Sequence, residues 1–142
     1  MTPANDGSSS GALHGGSQYQ VTENRNSVTI NGGEIVVREV YTGIYCGKNV
    51  DLTINGGTFN STEGKQIIFI SYGDVVTNIT GGTFTVTGGS TIGDIINKSG
   101  SDAADAVVKI TGGTYSANPA EYVNADTHIV TANGSTWTVT AK

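Results

Sequence analysis

The chain has 142 residues and a formal net charge of -5, with 21 glycines, 2 prolines and only 13% charged residues. This length suits one domain, and frequent glycine without a three-residue period excludes collagen. There is no Lys/Arg cluster for binding nucleic acid, no apolar run long enough to span a membrane, and only one cysteine, which excludes an internal disulfide.

Residues 1 to 20 are rich in Gly, Ser and small polar residues, which predicts a flexible arm or linker. They contain no basic segment followed by an apolar stretch, so no secretory signal peptide is visible. We therefore expect an exposed protein of this kind to be part of a longer surface chain, or to leave the cell in a virus particle.

A repeat occupies residues 21 to 126, and each copy centres on an apolar strand that ends in a glycine pair. The pairs are Gly32 and Gly33, Gly56 and Gly57, Gly81 and Gly82, and Gly112 and Gly113, with first glycines 24, 25 and 31 residues apart. A β-rich unit of this length cannot bury its own apolar face, so it must stack on its neighbours. We expect each pair to form a structural corner, where positive φ or close backbone approach excludes a Cβ atom.

Alignment on the glycine pairs places apolar residues in columns with the period of two that is typical of strands with one buried face. The first columns are Ile30, Ile54, Ile79 and Ile110, and Val28, Leu52, Thr77 and Val108; the second is Ile35, Phe59, Phe84 and Tyr115; the third is Ile44, Ile67 or Ile68, and Ile92. The segment beginning at Ile44, with Tyr45 next, aligns with the one beginning at Ile70. We predict an all-β fold, a short parallel β-helix solenoid of about four rungs. It should be right-handed, following the general preference of parallel crossovers.

Residues 127 to 142 are predicted to cap the solenoid. Asn133 and Gly134 lie between two alternating segments, which indicates a β-hairpin with a type I′ turn. Upstream, Asn118 and Pro119 indicate a turn or the start of a short helix. A terminal rung would expose an open core and an unpaired edge, and we expect Trp137 to help cover it.

The repeats resemble the "GGTF" repeats of surface proteins from gut-dwelling bacteria and their phages. The resemblance lies in Ile-Asn-Gly-Gly-Thr-Phe at 54 to 59, Ile-Thr-Gly-Gly-Thr-Phe at 79 to 84, and the segment from Ile110 to Val123, which leads to a closing hairpin. It covers roughly residues 28 to 140. It implies the β-helix architecture, an exposed location and an adhesive or structural role, and it brings no catalytic set.

A ligand face can be sought among outward aromatic and acidic residues. Tyr41, Tyr45 and Tyr72 are candidates for stacking on sugar rings, although simple packing is the favoured explanation of such tyrosines. Asp74 and Asp94 follow glycines in similar contexts and would supply acid/base chemistry if they shared a groove. Turn aspartates are the simpler explanation.

Two further residue sets favour simple explanations. Thr58, Thr83 and Thr114 align, which raises an ice-binding hypothesis, but Glu34 takes the same position in the first repeat and β-propensity accounts for threonines in strands. Cys46 has no Cys or His partner in the sequence pattern, which indicates a buried filler.

The sequence thus predicts a non-enzymatic structural or adhesive module, exposed on a bacterial surface or a virion, with no catalytic residue, metal or cofactor. A carbohydrate-binding or polysaccharide-degrading β-helix is the alternative. The expected partners are a surface glycan or protein receptor, and a preceding surface domain or a capsid or fibre protein. Self-association through an unsealed end is also expected, whereas nucleic-acid binding and membrane insertion are not.

Overall fold

The computed structural model describes residues 11–15, 25–38, 42–63 and 65–142. The strands in chain order are β1 (Gly11–Gly15), β2 (Asn26–Ile30), β3 (Glu34–Val37), β4 (Thr42–Cys46), β5 (Val50–Ile54), β6 (Thr58–Ser61), β7 (Gln66–Ile70), β8 (Val76–Ile79), β9 (Thr83–Val86), β10 (Ile96–Lys98), β11 (Val107–Ile110), β12 (Thr114–Tyr115), β13 (His128–Asn133) and β14 (Thr136–Ala141). A four-residue helix, α1 (Ile92–Ile95), precedes β10, and 3₁₀ turns cover Ser101–Ala103 and Ala120–Tyr122.

The strands of these residues form three sheets, here called A, B and C. Sheet A has the order β1-β4-β7-β10, sheet B the order β11-β8-β5-β2, and sheet C the order β13-β14-β12-β9-β6-β3. All pairings are parallel except those of β14 with β12 and β13. The chain visits the sheets in rotation, so each repeat gives one strand to each sheet. The predicted all-β class with parallel sheets is therefore confirmed.

The predicted flexible arm is wrong for residues 11–15, which form β1 and pair in parallel with β4. Main-chain hydrogen bonding to an existing strand orders this segment, although its glycines suggested a linker. The other residues of the predicted arm, 1–10 and 16–20, lie outside the described residues.

Three predicted columns are confirmed by the strand register. In sheet B the direct partners are Ile30, Ile54, Ile79 and Ile110, and Val28, Leu52, Thr77 and Val108. In sheet C they are Ile35, Phe59, Phe84 and Tyr115. Most of these side chains are completely buried in one core between the sheets. Like residues therefore stack on like, which is what a repeat in register requires.

The remaining predicted column needs a correction. Ile44 pairs with Ile68, and Ile68 pairs with Ile96, so Ile92 is not in the column. Ile92 instead begins α1, which packs against β7 and β9. The proposed alignment of Ile44 with Ile70 is also wrong by two residues, because Cys46 is the partner of Ile70 and Tyr45 is the partner of Phe69.

The aromatic members of the second column form a continuous stack. The ring centroids of Phe59 and Phe84 are 4.8 Å apart with planes at 2°, and those of Phe84 and Tyr115 are 5.0 Å apart at 4°. Adjacent strands in ordinary sheets rotate by about 20–25°. Near-parallel rings on three successive strands therefore indicate that this part of sheet C has little twist.

The two glycines of each pair serve different purposes. The second glycine always has a positive φ, from 94° at Gly33 to 109° at Gly57. In the second, third and fourth pairs the first glycine lies against the preceding repeat: a Cβ atom built at Gly81 would be 2.5 Å from the main-chain oxygen of Asn55. Both predicted reasons for glycine at the corners therefore apply: positive φ at the second glycine, and close backbone approach at the first.

A ladder of polar side chains runs beside these corners. The residue before each glycine pair is Asn or Thr, and Asn55 Nδ2 donates to Asn31 Oδ1 at 2.8 Å. Thr80 Oγ1 donates to Asn55 Oδ1 at 2.8 Å. These exposed hydrogen bonds link three successive repeats outside the apolar columns.

The C-terminal hairpin closes one end of sheet C. β13 and β14 are antiparallel, and Trp137 is opposite Tyr115, at the end of the aromatic column. The predicted type I′ turn at Asn133 and Gly134 is wrong: the two-residue loop is Gly134 and Ser135, and only Gly134 has a positive φ, of 65°. Glycine with positive φ at the first loop position is typical of a type II′ turn.

Thr77 is an apolar-column residue whose hydroxyl is fully buried and has no hydrogen-bond partner in the described part of the chain. Because an unpaired buried hydroxyl costs about 1–3 kcal/mol, Thr77→Val should raise the free energy of unfolding by about 1 kcal/mol. Urea denaturation would measure this. Thr53→Val, at an outward position of the neighbouring strand, is the control and should change stability little; equal effects would contradict the prediction.

Candidate functional site

The predicted ligand face is only partly assembled. Tyr45, Tyr72 and Asp74 lie at or near the carboxyl ends of the strands of sheet A, whereas Asp94 lies in α1, before the amino end of β10. These ends are separated by the length of a strand such as β7, about 16 Å for five residues. Tyr41 is outside the described residues.

Tyr45 is half-buried and stacks on Phe69 of the next repeat, a neighbour that the sequence analysis did not single out. The ring centroids are 5.6 Å apart and the planes meet at 13°. The Tyr45 hydroxyl also accepts a hydrogen bond of 2.9 Å from Ser71 Oγ. Rings stacked along the direction of the repeats turn their edges, not their faces, toward solvent. Sugar stacking requires a free ring face, so this pair is better suited to holding two repeats together.

Tyr72 and Asp74 also have structural contacts. The Lys48 ammonium lies 5.1 Å from the centre of the Tyr72 ring, within the range of a cation–π contact. Asp74 Oδ2 accepts a 3.1 Å hydrogen bond from the main-chain N–H of Asn49, and Arg25 donates to the main-chain oxygen of Asp74. The Lys48 and Asn49 contacts connect consecutive repeats and the Arg25 contact spans two, which agrees with the simpler interpretation of Asp74 as a turn residue.

Asp94 acts on its own helix. Its Oδ2 accepts hydrogen bonds from the main-chain N–H groups of Ser90 at 2.8 Å and Thr91 at 2.9 Å. These two bonds lower the pKa of the Asp94 carboxyl below its ordinary value of 3.8. A carboxylate that is stabilised as an anion at a helix start is a cap, and it is a poor general acid at neutral pH.

Removing this cap should have a pH-dependent cost. Asp94→Ala is expected to lower the free energy of unfolding by about 1 kcal/mol at pH 7. Because the folded pKa is depressed, the difference between the two proteins should be complete above the unfolded pKa and disappear as pH falls through the folded pKa. Urea denaturation from pH 7 to pH 2 measures it. A difference that is constant over this range would show that the charge is not involved.

Cys46 is buried in the core opposite Ile70, as the sequence predicted for a filler. Burial raises the pKa of the Cys46 thiol to about 12, so the nucleophilic thiolate is scarce at neutral pH. No group of three His, Cys, Asp or Glu residues in the described ranges could hold a metal ion. The same residues include no helix with the length and apolarity needed to cross a membrane.

The outward face of sheet C carries a row of threonines, of which the repeat pattern predicts only three members. Five threonines occupy one register position on five adjacent strands, and we call them the threonine row: Thr58, Thr83, Thr114, Thr138 and Thr131. Thr83 and Thr131 are exposed and the other three are half-buried. Within the described parts of the chain, none of the five hydroxyls hydrogen-bonds to another residue. Glu34 of β3 ends the row.

The composition of this face differs from that of its neighbour. The positions two residues along from the row are also uncharged and polar, namely Asn60, Thr85, Ser116, Thr136 and Asn133. The outward positions of sheet B include Thr29 and Thr53 but also Asp51, Lys109 and the exposed Val107. The outward face of sheet C carries Glu34 and the exposed Val36 and Ile129 at its two ends, and threonine at one register position on the five strands from β6 to β13. The threonine row is therefore the strongest candidate for a binding surface.

Comparison of this chain with protein-family models, with curated proteins and with solved structures gives no match.

Proposed function

We propose that the chain forms a short right-handed parallel β-helix solenoid and serves as a non-enzymatic structural and adhesive module, exposed on a bacterial surface or a phage virion. The observation that carries the proposal is the rotation of the strands through sheets A, B and C, with matching side chains in register. A rod of stacked repeats has few flexible parts, and its outward faces are fixed in space. Such a rod suits the presentation of a binding surface.

The contacts between repeats support a rigid, resistant rod. Apolar columns, the aromatic stack and the Asn31–Asn55–Thr80 ladder connect each repeat to the next on different sides. In repeat architectures stability is approximately the sum of such nearest-neighbour terms. A net charge of -5 favours solubility of an exposed module.

The polysaccharide-degrading alternative has less support. Glycosidase carboxylates stand within about 10 Å of each other on either side of the scissile bond. Asp74 and Asp94 lie at opposite ends of the strands of sheet A, and each accepts a main-chain hydrogen bond. We therefore propose a surface that binds without cleaving.

The test is to measure adhesion and cleavage together. The full chain, labelled at its amino terminus, would be titrated onto gut bacterial cells and mucin-coated surfaces, and reducing ends would be assayed on a polysaccharide panel. We expect saturable retention on at least one surface and no release of reducing ends. Asp74→Asn and Asp94→Asn should adhere like the original chain. Cleavage that is lost in either variant, or retention on no surface, would overturn the proposal.

A further inference from the structure

We propose that the threonine row binds an uncharged, extended polysaccharide that lies across the strands of sheet C with about one sugar on each strand. This inference rests on the adhesive function proposed above, and it names the ligand class and the surface. Four observations carry it: the chemistry of the row, its period, the small twist of the strands that bear it and its lack of cations.

The chemistry of the row complements a carbohydrate. Each threonine hydroxyl both donates and accepts hydrogen bonds, as a sugar hydroxyl does. Since the five hydroxyls have no partner among the described residues, a ligand need not break an internal hydrogen bond to reach them. The neighbouring Cγ methyl groups offer apolar contacts to the C–H groups of a sugar ring.

The period of the row suits a regular polymer. The rings of Phe59, Phe84 and Tyr115 belong to the residues that follow Thr58, Thr83 and Thr114, on the buried face of the same strands, and their spacings of 4.8 and 5.0 Å measure the strand repeat of sheet C. The small angles of 2° and 4° between those rings indicate little twist between the three strands that carry Thr58, Thr83 and Thr114. An extended β-linked glycan advances by a closely similar distance per sugar, so contacts can repeat without losing register.

The length of the row sets the length of the ligand. Five strands at the usual interstrand spacing span roughly 19 Å, enough for four or five sugars. Each hydroxyl contributes little by itself, and binding depends on many contacts made at once. We therefore expect long chains to bind much more tightly than disaccharides.

Charge selects a neutral ligand. Glu34 of β3, which ends the threonine row, is an anion, no cation occurs in this row or in the row beside it, and the whole chain is acidic, with a net charge of -5. A uronate or sulfate group would meet no cation on this face and would be repelled by the rest of the molecule. A second copy of the chain is a poorer occupant, because two rows of short side chains bury far less than the about 800 Å² per partner of a stable interface.

The experiment compares two sets of Thr→Val variants, which delete hydroxyls and keep the β-branched shape. The test protein carries Thr58→Val, Thr83→Val and Thr114→Val; the control carries Thr29→Val and Thr53→Val on the outward face of sheet B. Retention of the full chain on insoluble cellulose, chitin and mannan would be measured as a binding isotherm, with polygalacturonate as the anionic comparison. Circular dichroism melting verifies that both variants are folded.

We expect the original chain and the control to bind at least one neutral glycan, and the test protein to bind it about tenfold more weakly or worse. Equal losses in both variants, retention on none of the neutral glycans, or stronger retention on polygalacturonate would overturn the inference. Arrest of ice growth that only the test protein loses, without glycan retention, would assign the row to ordered water instead. If the test protein still adheres to cells like the original chain, the adhesive function stands and the threonine row is not its site.

Discussion

Phe84→Ala is expected to lower the free energy of unfolding by about 3–5 kcal/mol. Phe84 is completely buried between the rings of Phe59 and Tyr115, so the truncation leaves a cavity and breaks two aromatic contacts. Urea denaturation followed by Trp137 fluorescence would measure the loss.

The matched control is Thr85→Ala, an exposed residue next to Phe84 on the same strand. It should change the free energy of unfolding by no more than about 0.5 kcal/mol. A loss below about 1 kcal/mol for Phe84→Ala would show that the column collapses to fill the space, and that the stack is not a rigid element.

Gly112→Ala is expected to cost about 3 kcal/mol or more, because a Cβ atom there would overlap the main-chain oxygen of Thr80 in the preceding repeat. The steric clash of the same substitution becomes milder from the last glycine pair toward the first. A Cβ atom would be 2.5 Å from a main-chain oxygen at Gly81 and 2.7 Å at Gly56, and at Gly32 no described atom lies within 4 Å.

The four Gly→Ala variants therefore form a graded series, in which the same substitution is made at the equivalent corner position of each repeat. Thermal melting should rank Gly112→Ala as the most destabilised, then Gly81→Ala and Gly56→Ala, with Gly32→Ala close to the original chain. A similar loss at all four positions would mean that backbone conformation, rather than contact between repeats, explains the first glycine of each pair.

The accuracy of the sequence predictions depended on distance from the glycine pairs. The columns at Ile54 and Phe59 lie within three residues of a pair, where the corner fixes the spacing in every repeat, and both were predicted correctly. Ile96 lies 15 residues beyond Gly81, whereas Ile44 and Ile68 lie 12 residues beyond their glycines. A count of residues from the glycine pair therefore reached Ile92, because no feature of the sequence pattern indicated the inserted helix α1.

The candidate surface was hidden for a different reason. Thr58, Thr83 and Thr114 could be aligned from the repeat, but Thr138 and Thr131 belong to the hairpin, which lacks the repeat motif. Only the registers of β14 against β12 and of β13 against β14 show that they continue the same line. Conversely, Tyr45 and Asp74 were predicted as ligand residues from their residue types alone. Their structural contacts with Phe69 and Asn49 could not be predicted from the spacing of the repeat.

The third interval between glycine pairs is six residues longer than the second, and the structure divides the excess equally. Three residues enlarge the connection that contains α1, and three enlarge the one that contains Ser101–Ala103, while β11 still meets β8 in the register of the earlier repeats. The two connections thus already carry natural insertions without a change in the core. Because the entropic cost of a longer surface loop grows slowly, they are the places where a foreign peptide could be grafted for display.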